Sequence, residues 1–210
     1  IYYQPGSLKA RLCVEGARLM YDYCDEKAIP YERCGKLIVA LDPEELPRLD
    51  NLEVRGNANA VPGLRRIGAG EIREIEPNAV GLQALHAPNT GIVDYGQVAR
   101  SIVDDLRRSG VQVRYGVPVE SIDGAGTATV HTADGPVASR TVIVCAGLWA
   151  DRLARRAGAT DDPRIVPFRG AYLGLNPTPT PRVRGMIYPV PNPELPFLGV
   201  HITKHINGEV

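Results

Sequence analysis

The stretch Thr141-Val142-Ile143-Val144-Cys145-Ala146-Gly147-Leu148-Trp149-Ala150-Asp151 constrains the fold of this chain more than any other. A short unbroken apolar run ends in small residues and passes at once into a helical pattern over residues 149–157. That order reads as a buried strand of a parallel sheet delivering its carboxyl end to a helix amino terminus. Glycine there leaves room for close approach, and the helix amides can meet a phosphate or ribityl oxygen, so dinucleotides bind at such ends. Many parallel strands end in Ala-Gly only to pack a helix, and the run alone leaves both readings open.

The flanking sequence supplies a frame. Residues 111–115 and then 116–122 read as extended, residues 127–132 alternate, and Ala133-Asp134-Gly135-Pro136 is a turn before another extended stretch. This order predicts a strand, a meander and a return to a parallel, doubly wound sheet. Toward the amino end, Ser7 caps a helix running to about residue 27 with an apolar stripe through Leu8, Leu12, Leu19, Met20 and Tyr23. A strand is expected over 31–40. Asp42-Pro43-Glu44-Glu45 then opens a helix to about residue 59, with a cap, an early proline and an acidic first turn. Gly68-Ala69-Gly70 superficially suggests a phosphate loop, but position 73 is Arg and no apolar strand is evident before it; the reading is a short helix closed by Pro77. Residues 82–87 and 91–93 read as extended, and 95–109 as a helix with Val98, Ile102 and Leu106 on one face, stopped by Gly110. Beyond residue 163, Pro177, Pro179, Pro181, Pro189, Pro191, Pro193 and Pro196 punctuate extended stretches, which suits antiparallel strands joined by rigid loops.

A formal net charge of zero gives no reason to expect a nucleic acid or an acidic membrane as partner. No apolar run approaches the ~18 residues of a membrane span, so no transmembrane segment is expected. Cys13, Cys24, Cys34 and Cys145 form no C-x-x-C pair and sit in half-buried-looking patterns, which reads as reduced structural thiols and a cytoplasmic location. His201 and His205 stand four apart in what reads as a strand, ~13 Å from each other, too far to share an ion; no metal site is expected.

Six blocks in register carry a resemblance. They are Ile1-Tyr2-Tyr3-Gln4-Pro5-Gly6-Ser7-Leu8-Lys9-Ala10, Cys34-Gly35-Lys36-Leu37-Ile38-Val39-Ala40, Thr90-Gly91-Ile92-Val93-Asp94, Pro167-Phe168-Arg169-Gly170, Ile187-Tyr188-Pro189-Val190-Pro191 and Pro196-Phe197-Leu198-Gly199-Val200-His201. With the meander and the Ala-Gly strand end, the chain resembles the L-2-hydroxyglutarate dehydrogenase/oxidase family of the D-amino-acid-oxidase-like flavoproteins. The resemblance implies an α/β (α+β) fold in which part of a doubly wound FAD-binding domain, residues 1–28 and 91–160, interleaves with part of an antiparallel-sheet substrate domain, residues 29–90 and 161–210. It implies FAD as cofactor, with Val119 touching the adenine side through its backbone and Ala146 and Gly147 beside the cofactor. Relatives also carry an amino-terminal Gly-x-Gly-x-x-Gly unit and a carboxy-terminal part completing the flavin pocket; neither is in this sequence, so the chain is expected to be an internal fragment, inactive alone.

For the whole protein the resemblance implies oxidation of L-2-hydroxyglutarate to 2-oxoglutarate, a small-molecule 2-hydroxy acid as partner, and electrons passed to oxygen or to a membrane quinone, with a possible peripheral place at the inner membrane. Such chemistry needs a carboxylate clamp, for which the planar Arg fork suits best, and a base for the hydroxyl proton, for which neutral imidazole suits. Arg169, Tyr188 and His201 occupy the matching blocks: Arg169 and Tyr188 as substrate-binding residues, His201 as catalytic base. Against these stand a strand-bend salt bridge for Arg169, core packing for Tyr188 and a satisfied strand histidine for His201. Relatives show Phe-Arg-Gly-Glu-Tyr and Thr-Arg-Met where this chain has Phe168-Arg169-Gly170-Ala171-Tyr172 and Thr203-Lys204-His205, which bears on the distal-carboxylate clamp. Another 2-hydroxy-acid or amino-acid oxidase of the same superfamily, or a non-catalytic binding module, are the alternatives.

Overall fold

The computed structural model describes residues 1–124, 127–175, 183–194 and 199–210. The chain divides into two compact units, Ile1–Asp104 with Leu173–Val210, and Asp105–Tyr172.

In the first unit, α1 (Leu8–Glu26) begins where expected, with the Ser7 hydroxyl accepting from the Ala10 amide at 3.2 Å. The predicted stripe does not become its buried face: Leu8, Leu12 and Leu19 are exposed, and Ala10 and Cys24 are buried instead. The helix meets the rest of the unit through a small cluster of Cys24, Ile29 and Val98 with Met20 and Tyr23 around it, so the carboxyl half of the predicted stripe packs and its leucines do not.

The strand expected over 31–40 is two strands, β1 (Tyr31–Glu32) and β2 (Lys36–Ala40), parted at Gly35, whose φ of +74° suits only glycine at low cost. The Asp42 cap opens a 3-10 turn, Pro43–Glu45, with Glu45 reaching back to the Asp42 amide, and α2 (Leu46–Ala58) follows with Asn59 as its carboxyl cap. A strand does precede Gly68, contrary to expectation: β3 (Arg65–Gly68) holds two arginines, so its sequence lacks an apolar signature. The helix that follows, α3 (Ala69–Ile75), is the one predicted. β4 (Gln83–Ala87), β5 (Ile92–Val93) and α4 (Tyr95–Arg108) complete the segment.

β3, β4, β2 and β9 (Met186–Pro189) form one sheet in that order, while β1 pairs with β5. β4 lies antiparallel to β2, but β9 lies parallel to it, with Ile38 opposite Tyr188. The carboxy-terminal region is therefore not simply antiparallel; among the described residues its antiparallel element is a bridge between Ile187 and Ile202. Pro177, Pro179, Pro181 and Pro196, and the strand reading through Phe197-Leu198, lie outside the described residues.

Period-two alternation along β2 divides the core into two layers. Leu37 and Val39 pack with Ile67, Ile72 and Ala84 on one face. Ile38 and Ala40 pack with Leu49, Leu52, Leu85 and Val190 on the other. Beneath the start of β9 lies Glu76, 1% exposed, whose carboxylate accepts from the Arg184 amide at 2.9 and 3.1 Å and from the Gly185 amide. These bonds satisfy the buried Gly185 amide, the part-buried Arg184 amide and the buried carboxylate together, and they fix the entry of β9 into the sheet. Gly185 is required there, because a Cβ would stand 2.4 Å from the Cys34 carbonyl oxygen.

The second unit contains β6 (Val119–Asp123), β7 (Ala128–Thr132) and β8 (Gly135–Ser139), an antiparallel meander in the order predicted. Residues 111–115 and 141–146, expected as strands of a parallel sheet, carry no ladder among the described residues. Among the described residues β6, β7 and β8 pair only with one another, so no strand accepts the amides of 141–146, and Ile143 stands 83% exposed. A 3-10 turn, Gly147–Trp149, leads into α5 (Ala150–Arg156), which is tied to β6 by Arg156 Nη1 donating to the Glu120 carbonyl at 3.0 Å. No described residue of this unit is buried. The compact units also cut the chain at other points than the cofactor and substrate segments expected above: α1 and the start of α4 share the cluster around Cys24 and so belong with the four-stranded sheet.

Candidate functional site

Two places gather the residues singled out by sequence. The first lies on the β2–β9 face of the first unit. Tyr188 projects from β9 on the Ile38 side and stacks on His201, ring centroids 4.7 Å apart and tilted by 37°. The His201 Nδ1 lies 3.0 Å from the Gly199 carbonyl oxygen, an arrangement in which Nδ1 carries the proton and Nε2 is left as the basic nitrogen. Both expected residues are thus brought together, and the Ile187–Ile202 bridge fixes the segment that carries His201 against β9.

Sequence reading overlooked what completes this group. Lys36, at the head of β2, places its Nζ 4.8 Å from the Tyr188 ring centroid and 5.1 Å from that of Tyr2. Loss of surrounding water lowers the proton affinity of Lys36, with a small opposing influence from Cys13. Burial, and then the neighbouring Tyr188, push the Tyr2 phenol well above its ordinary value, so it remains neutral; its buried hydroxyl has no hydrogen-bond partner among the described residues. Each aromatic face returns ~0.5–2 kcal/mol to a cation, less than the several kcal/mol that full withdrawal of an ammonium from water costs. The signal was available: Lys36 shares the inward face of Ile38 and Ala40, where a charge is out of pattern.

Lys204 donates to both carboxylate oxygens of Glu32 at 2.5 and 2.8 Å and joins the carboxy-terminal segment to β1. His86 on β4 is half-buried, its Nδ1 without a partner among the described residues; burial, then the Arg65 charge, lower its proton affinity, and Glu71 opposes them.

The second place is a cleft of about 660 Å³ within the second unit, in the size range of small-molecule sites. Val119 and Ala146 line it together with Ile122, Val130, Val144 and Trp149, and Arg152 and Arg156 bring two guanidinium groups to its wall. Gly147 starts the adjoining 3-10 turn and does not line the cleft; its φ of +53° keeps the turn from Ala146 tight. An apolar cleft edged by guanidinium groups has the chemistry of a site for an aromatic ring system carrying phosphate. Arg169 is exposed in this same unit and makes neither the salt bridge nor the carbonyl tie considered for it among the described residues.

A further expectation changes. Cys13 and Cys145 are exposed rather than half-buried, because α1 turns Cys13 outward and the 141–146 segment has no covering strand; Cys24 is buried and Cys34 intermediate, and all four are free thiols. Among the described residues no helix is long and apolar enough to cross a membrane, and no group of three or more His, Cys, Asp or Glu could hold a metal ion.

Comparison with known proteins places these features in a family. The chain is 47% identical to the L-2-hydroxyglutarate dehydrogenase of Homo sapiens over 223 aligned residues, covering all of this chain and 48% of the human protein. The Caenorhabditis elegans and Dictyostelium discoideum proteins of the same name are 44% and 41% identical, again over the whole chain and about half of each relative. The chain therefore spans about half the length of the curated relatives it matches. All three are named as mitochondrial proteins, which overturns the cytoplasmic location expected from the thiol pattern; reduced cysteines do not distinguish these compartments.

Among solved structures, an L-alpha-glycerophosphate oxidase from Mycoplasma pneumoniae with FAD bound superposes with a TM-score of 0.83 at 22% identity, covering 99% of this chain and 56% of that one. Glycine oxidase from Geobacillus kaustophilus gives 0.77 at 18% identity, with 99% and 55% covered. These likenesses establish the mixed α/β fold expected from the sequence. The DAO family, described as FAD dependent oxidoreductase, matches residues 1–210 from end to end, and the chain belongs to it.

Proposed function

We propose that the full-length protein oxidises L-2-hydroxyglutarate to 2-oxoglutarate with FAD. The observation that carries this reading is the 47% identity to a named L-2-hydroxyglutarate dehydrogenase, which extends through every residue of the chain. Bound FAD would supply the hydride acceptor. Val119 and Ala146 would hold the adenine end, with Gly147 keeping the adjoining turn tight.

The chain's own residues do the rest. His201, with Nδ1 protonated toward the Gly199 carbonyl, accepts the substrate hydroxyl proton at Nε2. Tyr188 keeps the imidazole ring in place by stacking and presents an aromatic wall to the substrate carbons. Arg169 clamps a carboxylate with its planar fork. The final electron acceptor would be oxygen or a membrane quinone.

The test is steady-state turnover by the full-length protein over a panel of L- and D-2-hydroxy acids and amino acids, with product identified by mass spectrometry and with oxygen or a soluble quinone as acceptor. The expected result is 2-oxoglutarate from L-2-hydroxyglutarate at a kcat/KM at least tenfold above every other compound. Preference for an amino acid or a monocarboxylic hydroxy acid would replace this reading by another oxidase activity on the same fold. Ala171 and Lys204, which depart from the family pattern, would then be the first positions to examine.

A further inference from the structure

We propose that Lys36 receives a carboxylate of the substrate, its ammonium presented between the ring faces of Tyr2 and Tyr188 beside His201. This rests on the reading of the site as that of a 2-hydroxy-acid oxidoreductase and adds to it a group that meets the substrate's charge.

The geometry is that of a cation prepared for an anion. Lys36 stands at the head of a central strand on its inward-facing side, 4.8 and 5.1 Å from two ring centroids, and Tyr188 in turn stacks on His201 at 4.7 Å. Arg66 and Lys204, also half-buried in the first unit, have carboxylates, Asp50 with Glu53 for the first and Glu32 for the second, whereas half-buried Arg48 is paired with none among the described residues. Among the described residues Lys36 has none. Tyr2 supplies no counter-charge, since its buried phenol stays protonated. Aromatic faces orient an ammonium without neutralising it, and an uncompensated charge in a partly dehydrated place favours an anionic ligand. A dicarboxylate brings two negative charges, and the aromatic pair holds Lys36 where one of them reaches the site as the hydroxyl carbon reaches His201. Nothing covalent is required of Lys36; its part is binding.

The test uses the full-length flavoprotein and the variants Lys36→Met and Lys36→Arg, each checked for FAD content and melting temperature. With L-2-hydroxyglutarate, Lys36→Met is expected to raise KM about 10- to 100-fold with kcat changed only a few-fold, and Lys36→Arg to keep KM within about fivefold. In the wild-type protein, glutarate is expected to protect Lys36 from an amine-acylating reagent at least fivefold, read by peptide mass spectrometry, which serves if Lys36→Met does not fold. A KM within twofold of wild type in Lys36→Met, or no protection by glutarate, overturns the proposal. So does an altered flavin absorption spectrum with unchanged KM, because the ammonium would then belong to the flavin. Failure of the wild-type protein to oxidise L-2-hydroxyglutarate would instead overturn the functional reading, and is scored before any variant is compared.

Discussion

Removal of the Glu76 carboxylate tests how β9, and with it Tyr188, is held. In Glu76→Ala the Arg184 and Gly185 amides lose their acceptor in a place where water does not replace it. Each stranded donor costs ~1–3 kcal/mol, giving ~2–6 kcal/mol in all, of which part is returned because a buried charge is no longer withdrawn from water. A net loss of about 2–4 kcal/mol is expected, and at the ~2–4 °C per kcal/mol of a 150–250-residue domain the melting temperature falls by roughly 4–16 °C, less if the full-length protein is longer. Glu76→Gln keeps one acceptor oxygen and turns an amide donor toward the other N–H, so it should fall between wild type and Glu76→Ala. The local readout is amide hydrogen exchange over residues 184–189, which should quicken about 30-fold for every 2 kcal/mol lost locally. Melting within about 1 °C of wild type, with unchanged exchange over that segment, would refute the account of Glu76 as the anchor of β9.

Other outcomes follow from the same structure. Gly185→Ala should destabilise the protein by at least ~2 kcal/mol in chemical denaturation, because its Cβ meets the backbone oxygens of Cys34 and Gly35 at 2.4 and 3.0 Å and backbone cannot swing aside; an unchanged midpoint would contradict that packing. His86 has its folded-state proton affinity lowered, so the unfolded chain binds the proton first. Stability is complete above the unfolded value of about 6.5 and declines as pH falls below it toward the folded value, and a melting series from pH 8 to 5 should show a slope that His86→Gln reduces. Arg169→Lys in the full-length protein should raise KM for the dicarboxylic substrate while leaving FAD content unchanged, since Lys keeps the charge and loses the fork; unchanged kinetics would remove Arg169 from the site.

What the sequence made legible was local chemistry. The Ser7 cap, the Asp42-Pro43 helix start, the Gly68 boundary and the Gly110 stop, where φ is +80°, each depend on a few neighbouring residues, and each lies where the pattern put it. Pairing over distance was not legible: nothing near Met186–Pro189 announces that β9 lies parallel to β2, a choice enforced by the Glu76 bonds and by the close passage of Gly185 over Cys34. Residues 141–146 have the composition of a buried strand, yet composition describes what a strand would do once neighbours exist, and β6–β8 offer it none. In the candidate site, His201 and Tyr188 came from family-like blocks, and the structure adds their stacking. Lys36 was visible as a charge on an apolar strand face but acquires meaning only beside Tyr2 and Tyr188, residues that lie far from it along the chain.

The most direct measurement is anaerobic stopped-flow reduction of the flavin in the full-length protein by L-2-hydroxyglutarate, for wild type and His201→Gln across pH. The account predicts rapid bleaching in wild type with one 2-oxoglutarate formed per flavin, a rate that falls on acidification because imidazolium accepts no proton, and a loss of ~10²-fold or more together with that pH dependence in His201→Gln. Bleaching by His201→Gln at nearly the wild-type rate with the same pH profile would contradict His201 as the base. Absence of bleaching by L-2-hydroxyglutarate in the wild-type protein would contradict the proposed activity itself.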